Sequence, residues 1–588
     1  MVIDAALEPW GLLPIALPLL VLCAVRAARL VLPNGSRSDR LAASAVLAMG
    51  LVHVNVGLLG TLGVLTANAL LLLLGLEAVA LVAATFRIPG DGWGRDWKAL
   101  WPALTLAFVV SVSAVTAARL LPVWQWDSIG YHLPFVNFVI QSHGFAEVPP
   151  DLRYISTYPH DIELGMIALR LMLPDDRLVD LAQLPYGLAG AALTAAVARR
   201  LGANPRNASL AGAVWLTLPC VFLQLPTNYV DVGTAAALLG ALYFLVFSDL
   251  RLPTVLLGAV SLGLFLGGKP SAPIAATAIA LFVIVRGVRA RQLMPTAAFL
   301  LVTFVFGAEM YLVMFARHGN PVWPVALHLG PLSFPGELAV DQLLAAGAAL
   351  PSASGTKLDR LLVSWLAVGT PPVFDMKLGG LGLPFLLALP VALVGLVRRR
   401  SALLAFALLV AGLSPDPSLG RYVLALGALV LALALTELNA VRVTTPAVLA
   451  IASVSLVWSW PGLTGDGPAL ATYWNLTDDQ RRVAVGPHGR PTDYPPLWDV
   501  VDRGESIAFD EDFEFPGLLW SPELRYPVHA VPRAPGNLDE WLDERRVRVL
   551  AVGPRRRAQL GSSWRRAFDC RSADCSVFVR TREAMSAR

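Results

Sequence analysis

Apolar runs of about 18 or more residues recur along the first three quarters of this chain, and no other feature constrains its fold as strongly. A helix of that length matches the hydrocarbon thickness of a bilayer. Only 15% of the 588 residues are charged, against about 25% in soluble domains. We therefore expect an all-α polytopic membrane protein.

The hydropathy pattern predicts about fourteen transmembrane helices, several of them short or interrupted by Gly and Pro. They lie at roughly 11–32, 41–62, 64–86, 100–121, 179–199, 208–226, 229–248, 253–267, 271–286, 295–316, 379–397, 401–414, 418–437 and 444–462. The first run has no basic segment before it and no small-residue cleavage site, so we interpret it as a retained span.

Basic residues between the predicted spans orient the chain. Five clusters are found, at Arg26, Arg29, Arg37 and Arg40; at Arg87, Arg95 and Lys98; at Arg199, Arg200 and Arg206; at Arg286, Arg289 and Arg291; and at Arg398, Arg399 and Arg400. With fourteen spans, all five clusters lie on one side, which the positive-inside rule makes cytoplasmic. Both termini and the loops 122–178 and 317–378 are then expected outside.

Composition divides the chain into three parts. Residues 1–99 carry additional N-terminal spans, 100–462 form the membrane body with its two external loops, and 463–588 are polar. In this tail "SIAF", "RVLAVG" and "SVFVR" are typical of strands and 537–546 of an amphipathic helix, which predicts a small extracytoplasmic α/β domain. Cys570 and Cys575 could pair there in an oxidising compartment, whereas Cys23 and Cys220 lie in apolar runs.

Ionisable residues at the outer ends of spans are the candidate site residues, because burying them costs free energy unless something offsets it. Asp127 follows the fourth predicted span and precedes a short amphipathic helix expected to lie along the membrane surface. It either caps that helix or takes part in catalysis. Tyr131 and His132 follow about one turn later, as substrate contacts or as interfacial residues.

A second polar group opens another short helix in "YISTYPHDIELGMIAL". Its members are His160, Asp161 and Glu163. The acids there either complement the helix dipole or contact a substrate or a metal. Their spacing matches no established metal-binding signature.

Three more candidates lie near the predicted outer ends of later spans. Asp231 begins the seventh span, Lys269 follows a Gly-Gly turn, and Arg421 with Tyr422 opens the thirteenth. Cations at these positions suit a lipid phosphate, and Arg offers a planar fork of donors. The simpler interpretation is a basic side chain that reaches the interface without a function.

The sequence lacks the motifs that are typical of several function classes. There is no P-loop, GxSxG, HExxH or GxGxxG sequence, which argues against a nucleotide-driven pump, the common hydrolases and dinucleotide enzymes. The formal charge of +4 gives no indication of nucleic-acid binding.

In order along the chain, these segments resemble the polyprenyl-phosphate-sugar-dependent GT-C glycosyltransferases, which include the protein mannosyltransferases and the lipid A aminoarabinose transferases. The segments that carry the resemblance are "YHLPFV" after Asp127, "TYPHDIE", "YVDVGTAAALLGALYFL", "GGKPSAP", "HGNPVWP" and "GRYVLAL", over about 100–460. Two features depart from the family pattern. About three spans precede the first external loop, and Asp127 has no second acid beside it, so metal use stays open.

The resemblance implies a GT-C-like membrane body and transfer of a sugar, hexosyl or pentosyl, from a polyprenyl-phosphate donor outside the cell membrane. The acceptor would be a hydroxyl of a glycan, lipid or protein, and direct attack would invert the anomeric centre. Asp127 would be the general base, and Arg421 and Lys269 would neutralise the leaving phosphate. The resemblance establishes no cofactor, and use of a divalent metal is left open.

Two alternatives use the same spans differently. A transporter or flippase of a lipid-linked sugar predicts broken helices that meet near the bilayer midplane and an inverted repeat. A membrane-anchored assembly protein would bind partners through its tail, but gives no reason for Arg421 on the side where arginine is disfavoured.

Overall fold

The computed structural model describes residues 10–88, 97–146, 148–150, 152, 154–339, 356–366, 380–441, 444–489, 497–533, 535–553, 560–570 and 575–581. Arg95 and much of the predicted loop 317–378 lie outside the described residues. The rest forms a mostly helical body followed by a small C-terminal sheet.

Each of the fourteen predicted apolar segments coincides with helical structure. The helices are α1 (Leu13–Val31), α2 (Arg37–Thr61), α3 (Ala67–Thr85), α4 (Trp97–Leu120), α5 (Leu133–Gln141), α6 (Glu163–Met172), α7 (Gln183–Arg200), α8 (Pro205–Trp215), α9 (Pro219–Phe222), α10 (Asp231–Ala241), α11 (Leu252–Leu266), α12 (Pro273–Arg289), α13 (Leu293–Gly307), α14 (Glu309–His318), α15 (Lys357–Leu366), α16 (Gly382–Arg399), α17 (Ala402–Gly412), α18 (Leu424–Glu437), α19 (Thr444–Ser459), α20 (Asp478–Ala484) and α21 (Leu538–Glu544).

Within the described residues, eight helices are long and apolar enough to cross a membrane. A ninth span results if α13 and α14, bent by 66° at Ala308, are counted together, and three more apolar helices are shorter. The protein is thus a multi-pass membrane protein, and the count of fourteen stays a prediction. Glycine and proline account for part of the difference, because they interrupt helices that hydropathy alone treats as continuous.

Local sequence fixes several helix starts. Ser36 and Asp39 form a capping box at the start of α2, which satisfies two backbone N–H groups that have no partner inside the helix. Asn204 caps α8, and Pro205 takes its first position, where the missing N–H costs nothing. Both α2 and α8 therefore begin in turns that the sequence predicts to lie on the cytoplasmic side.

The C-terminal region forms a five-stranded sheet with the order β4-β3-β5-β7-β6. Its strands are β3 (Ser506–Phe509), β4 (Val528–Ala530), β5 (Val547–Val552), β6 (Trp564–Cys570) and β7 (Cys575–Arg580), and a separate hairpin pairs β1 (Leu327–Leu329) with β2 (Leu332–Phe334). β3 is parallel to β4 and β5, whereas β7 is antiparallel to β5 and β6. The strands and the helix α21 expected in this region are confirmed.

Alternation along the strands gives the sheet two buried faces. Ile507 and Phe509 belong to the hydrophobic core of the membrane body, whereas Ala508 and Leu550 pack in a second cluster with Trp541 of α21. Successive strand residues point to opposite faces. One face of the sheet therefore packs onto the body, on the side where Asp127 lies. Cys575 is disulfide-bonded and lies opposite Cys570 in the register of β6 and β7.

Candidate active site

Asp127 lies between the end of α4 and a short π-helical turn, Ser128–His132, that leads into α5. Its backbone N–H donates to the hydroxyl of Tyr229 at 3.2 Å. Its side chain makes no capping hydrogen bond to the following turn. Instead, Oδ2 accepts from Nη1 of Arg421 at 3.1 Å. The interpretation of Asp127 as a helix cap is therefore wrong.

Four charged side chains meet at this point. Arg421 lies 3.1 Å from Asp127 and 3.9 Å from Asp231, and Lys269 forms an ion pair with Asp231. Their side chains are between 3% and 18% exposed. Charges this far buried are stable only when each has an opposite charge and hydrogen bonds. Two acids and two cations balance, so the cluster carries no net charge.

The four side chains belong to separate elements of the fold. Asp231 is the first residue of α10, where the helix dipole favours a carboxylate. Lys269 follows the Gly267–Gly268 turn after α11, and Arg421 lies in a 3₁₀ turn, Gly420–Val423, before α18. The sequence separates Asp127 from Arg421 by 294 positions, so only the helix packing brings them into contact.

Aromatic rings surround the two cations. The ammonium of Lys269 lies 3.8 Å from the centre of the Tyr422 ring. The guanidinium of Arg421 lies 5.2 Å from Tyr422 and 5.4 Å from Tyr229. Such contacts attract a cation to the ring face and become stronger when water is excluded. Tyr229 was not predicted from the sequence, although its place two residues before Asp231 in "NYVD" is a usable signal.

Tyr131 lies beside Asp127 in a group of tyrosine rings. Its ring is 5.9 Å from that of Tyr154 and 6.0 Å from that of Tyr158. Burial, followed by the negative charge of Asp127, raises the pKa of the Tyr131 hydroxyl well above its ordinary value. Tyr131 therefore stays protonated and able to donate a hydrogen bond.

His132, His160 and Glu163 form a second cluster, which is almost fully buried. Nδ1 of His132 lies 2.8 Å from Oε1 of Glu163, and Nδ1 of His160 lies 3.4 Å from the same oxygen. Burial alone would raise the pKa of Glu163, but its two histidine partners outweigh that effect and lower the pKa to about 2. The ring of His132 lies 4.2 Å from that of Tyr131. This cluster holds α5 against α6 beside the charged centre.

Asp161 lies against the turn that carries Lys269. Its backbone N–H donates to the carbonyl of Gly267 at 2.8 Å. A Cβ at Gly267 would meet the carboxyl group of Asp161, so a larger residue there would force this carboxyl to move. Burial, and then the charges of Glu309 and Glu163, raise the pKa of Asp161 well above its ordinary value.

The C-terminal region contacts the segment that carries Asp127, which the sequence did not predict. Nε1 of Trp126 donates to Oε1 of Glu514 at 3.0 Å. A Cβ at Gly517 would come within 2.7 Å of the carbonyl oxygen of Ile129. Farther along the interface, Arg482 donates two hydrogen bonds to Asp176. The tail therefore forms part of the surroundings of the charged centre.

The side chains offer a poor fit to a divalent metal. Among the described residues, no three His, Cys, Asp or Glu side chains are arranged to hold one. A metal at the charged centre would have to displace Arg421 from Asp127 and Lys269 from Asp231. The cations already present supply positive charge where a metal would.

Comparison with known proteins gives a fold but no relative by sequence. No protein-family model and no curated protein matches the chain. The fold agrees with the one that the sequence resemblance predicted. It is similar to two crystal structures of ArnT from Cupriavidus metallidurans, one in the apo state and one bound to undecaprenyl phosphate. The identity is 13% in both, the match covers 82% of this chain and 98% of ArnT, and the TM-scores are 0.52 and 0.53.

Proposed function

We propose that this protein is a membrane glycosyltransferase that moves a sugar from a polyprenyl-phosphate donor to an acceptor hydroxyl outside the cell membrane. The contact between Asp127 and Arg421 carries the proposal, because a carboxylate next to a guanidinium is what a general base working beside a phosphate-binding cation would require. The shared fold supports it, since one of the similar ArnT structures is bound to undecaprenyl phosphate. No nucleotide is needed, because the lipid phosphate is the leaving group.

The chemistry follows from the positions of the charges. The acceptor oxygen attacks the anomeric carbon while the bond from that carbon to the phosphate oxygen breaks. Asp127 takes the proton of the acceptor hydroxyl. Arg421 and Lys269 stabilise the negative charge that develops on the departing phosphate. Attack from the face opposite the phosphate inverts the anomeric centre.

The ion pair between Asp127 and Arg421 gives donor binding a second role. When the donor phosphate accepts hydrogen bonds from Arg421, it competes with Asp127 for the same guanidinium. The carboxylate is then free to accept a proton from the acceptor. Donor binding would therefore prepare the base, while Asp231 continues to hold Lys269 in place.

The side of the membrane on which we propose the reaction is inferred from the residues at the opposite ends of the helices. Arg200 donates to Asp39 at 2.8 Å and Arg399 donates to Glu437 at 2.7 Å, so the basic clusters meet the start of α2 and the end of α18. Arg421 precedes the start of α18. The 14 residues of α18 separate the two ends by about 20 Å. The positive-inside rule puts the basic end in the cytoplasm and the charged centre outside, with the C-terminal domain.

One observation supports the alternative function, which is transport of a lipid-linked sugar. A transporter is expected to contain interrupted helices, and α13 and α14 are bent by 66°. The charged residues nevertheless gather at helix ends, at Asp127, Asp231 and Arg421, and transport alone does not require a base there.

Donor cleavage separates the two functions. The purified protein, reconstituted in nanodiscs, is incubated with a panel of radiolabelled polyprenyl-phosphate sugars and a mixture of acceptors. A transferase releases the sugar of at least one donor from its lipid, and Arg421→Gln slows that release. If every donor stays intact while the protein moves it between the leaflets of a liposome, the transferase proposal is wrong and the transporter is correct.

A further inference from the structure

A cleft of about 580 Å³ lies between α2, the loop before α6 and the bent pair α13–α14. Residues within 53–61 line one wall, and residues within 305–317 line the opposite wall. The loop contributes His160 and Asp161. The first wall belongs to the N-terminal helices that precede the body, so these helices help to form a site.

The polar lining of the cleft has unused hydrogen-bonding capacity. His160 is 8% exposed, and its Nδ1 is directed to Glu163. Among the described residues, Nε2 of His160 and Oδ2 of Asp161 have no hydrogen-bond partner. Buried polar atoms without partners are rare in native proteins and cost free energy, so these two atoms indicate a ligand with hydroxyl or amide groups.

The charges in the cleft indicate which headgroup fits. Of the described residues that line it, Asp161 and Glu309 are acidic and Arg317 is basic, and Nδ1 of His53 lies 3.6 Å from Oδ1 of Asp161. The raised pKa of Asp161 keeps this carboxyl protonated over a wider pH range, so that it both donates and accepts hydrogen bonds. A phosphate beside Glu309 would be repelled, whereas sugar or polyol hydroxyls would not. Two cations that suit a phosphate, Lys269 and Arg421, belong to the charged centre, whereas the cleft holds Arg317 together with the acids Asp161 and Glu309.

The apolar lining indicates that the ligand is a lipid. Val54 and Leu58 on one wall and Val305 on the other are between 45% and 62% exposed. Large exposed apolar side chains at this level of a membrane protein face lipid, so the cleft opens sideways into the bilayer. A hydrocarbon chain can enter between the walls while its headgroup reaches the polar end.

The cleft and the charged centre share one turn of the chain. Asp161 contacts the backbone of Gly267, and Lys269 follows two residues later. Gly267 also lines the cleft. A headgroup bound at Asp161 therefore lies beside the turn that positions Lys269.

We propose that this cleft is the acceptor site, and that the acceptor is a lipid whose headgroup presents hydroxyl groups rather than phosphate. This inference rests on the proposed function, because an acceptor presupposes transfer at the charged centre. In this arrangement the N-terminal helices close one side of a lipid-binding site. The donor would bind through its phosphate at Arg421 and Lys269, and the acceptor through its hydroxyls at His160 and Asp161.

Photolabelling tests the cleft without requiring turnover. The full-length protein, in nanodiscs prepared without glycoside detergents, is exposed to an alkyl glucoside with a diazirine in its chain, and to an alkyl phosphate with the same chain. Mass spectrometry locates the labelled residues. The glucoside should label residues within 53–61 and 305–317, and the phosphate should label them about tenfold less, which corresponds to roughly 1.4 kcal/mol.

A matched pair of glycine variants controls for folding and for nonspecific labelling. Gly57 lines the cleft and Gly75 lies on α3, and a Cβ at either position meets no atom within 4 Å. Gly57→Leu should lower glucoside labelling of the cleft about tenfold, whereas Gly75→Leu should leave it unchanged. Equal labelling in the two variants would overturn the proposal, and so would stronger labelling by the alkyl phosphate. Cleft labelling in a protein that cleaves no donor would leave a site for a hydroxyl-bearing lipid, but it would contradict the proposed function and with it the role of that lipid as acceptor.

Discussion

The guanidinium of Arg421 donates to the carboxylate of Asp127 at 3.1 Å, although 294 positions separate the two residues in the chain. The same guanidinium lies 3.9 Å from Asp231, which is paired with Lys269. One arginine thus connects both acids of the centre. Substitutions at Arg421 and at Asp231 should therefore separate the contribution of this arginine to donor binding from that of the other charges.

Replacing Arg421 should weaken binding of the donor lipid. A hydrogen bond to a charged group contributes roughly 1.5–3 kcal/mol, so Arg421→Gln should lower the affinity for a polyprenyl phosphate about 10- to 100-fold. Arg421→Lys keeps the charge but loses the planar fork of donors, so its affinity should lie between those of the parent protein and of Arg421→Gln. Binding is measured by scintillation proximity with labelled lipid. The control is Arg533→Gln, since Arg533 is 45% exposed and paired with Glu337 and Glu511; equal affinities for the two glutamine variants would contradict the assignment.

Asp231 should be needed for stability as well as for activity. Asp231→Asn leaves the ammonium of Lys269 without its nearest carboxylate, and breaking a buried pair costs about 3 kcal/mol or more. The Tm in nanodiscs should therefore fall. The double variant Asp231→Asn/Lys269→Met removes both charges and should recover much of the Tm while transfer stays lost. A double variant no more stable than the single one would show that the two side chains do not act as a pair.

Asp161 should make stability depend on pH in a defined direction. Its pKa in the folded protein is raised well above the ordinary value of 3.8. Between these two values the unfolded chain releases its proton while the folded protein retains it, so stability falls as pH rises through that window. Asp161→Asn cannot titrate. Its Tm relative to the parent protein should therefore be higher at pH 8 than at pH 5, and an equal difference at both pH values would contradict the assigned shift.

The C-terminal domain should affect catalysis through Trp126. Glu514 accepts the indole N–H of this residue, which precedes Asp127. Glu514→Ala removes the acceptor and should reduce kcat about tenfold or more, while the affinity for a polyprenyl phosphate is retained. Glu523→Ala is the matched control, because Glu523 pairs with Arg525 on the domain surface at 43% exposure. A kcat for Glu514→Ala that equals that of the control would show that the domain does not position the base.

The helices were predictable from the sequence because apolar runs and helix caps are local features. The segments at Asp127, Asp231, Lys269 and Arg421 were identified for the same reason, since a charge beside an apolar run is visible in the chain itself. Helix interruptions were harder to predict. The π-helical turn Ser128–His132 and the bend at Ala308 depend on packing against neighbouring helices, which hydropathy does not report.

Contacts between distant segments could not be read from the sequence. The hydrogen bond between His132 and Glu163 requires α5 and α6 to pack together, and the one between Trp126 and Glu514 requires the tail to fold back onto the body. The pattern marked His132 and Glu163 as polar residues near helix starts without showing that they bind each other. Tertiary structure supplied that pairing.

The central claim is that Asp127 is the base of a sugar transfer assisted by Arg421. Its most direct test is the rate of sugar release from a polyprenyl-phosphate donor by purified Asp127→Asn protein, measured at a temperature at which this variant is folded. Removing a general base costs about 100- to 10,000-fold in rate, so Asp127→Asn should lose activity by a factor of that size while a polyprenyl phosphate still binds. A turnover close to that of the parent protein would contradict it.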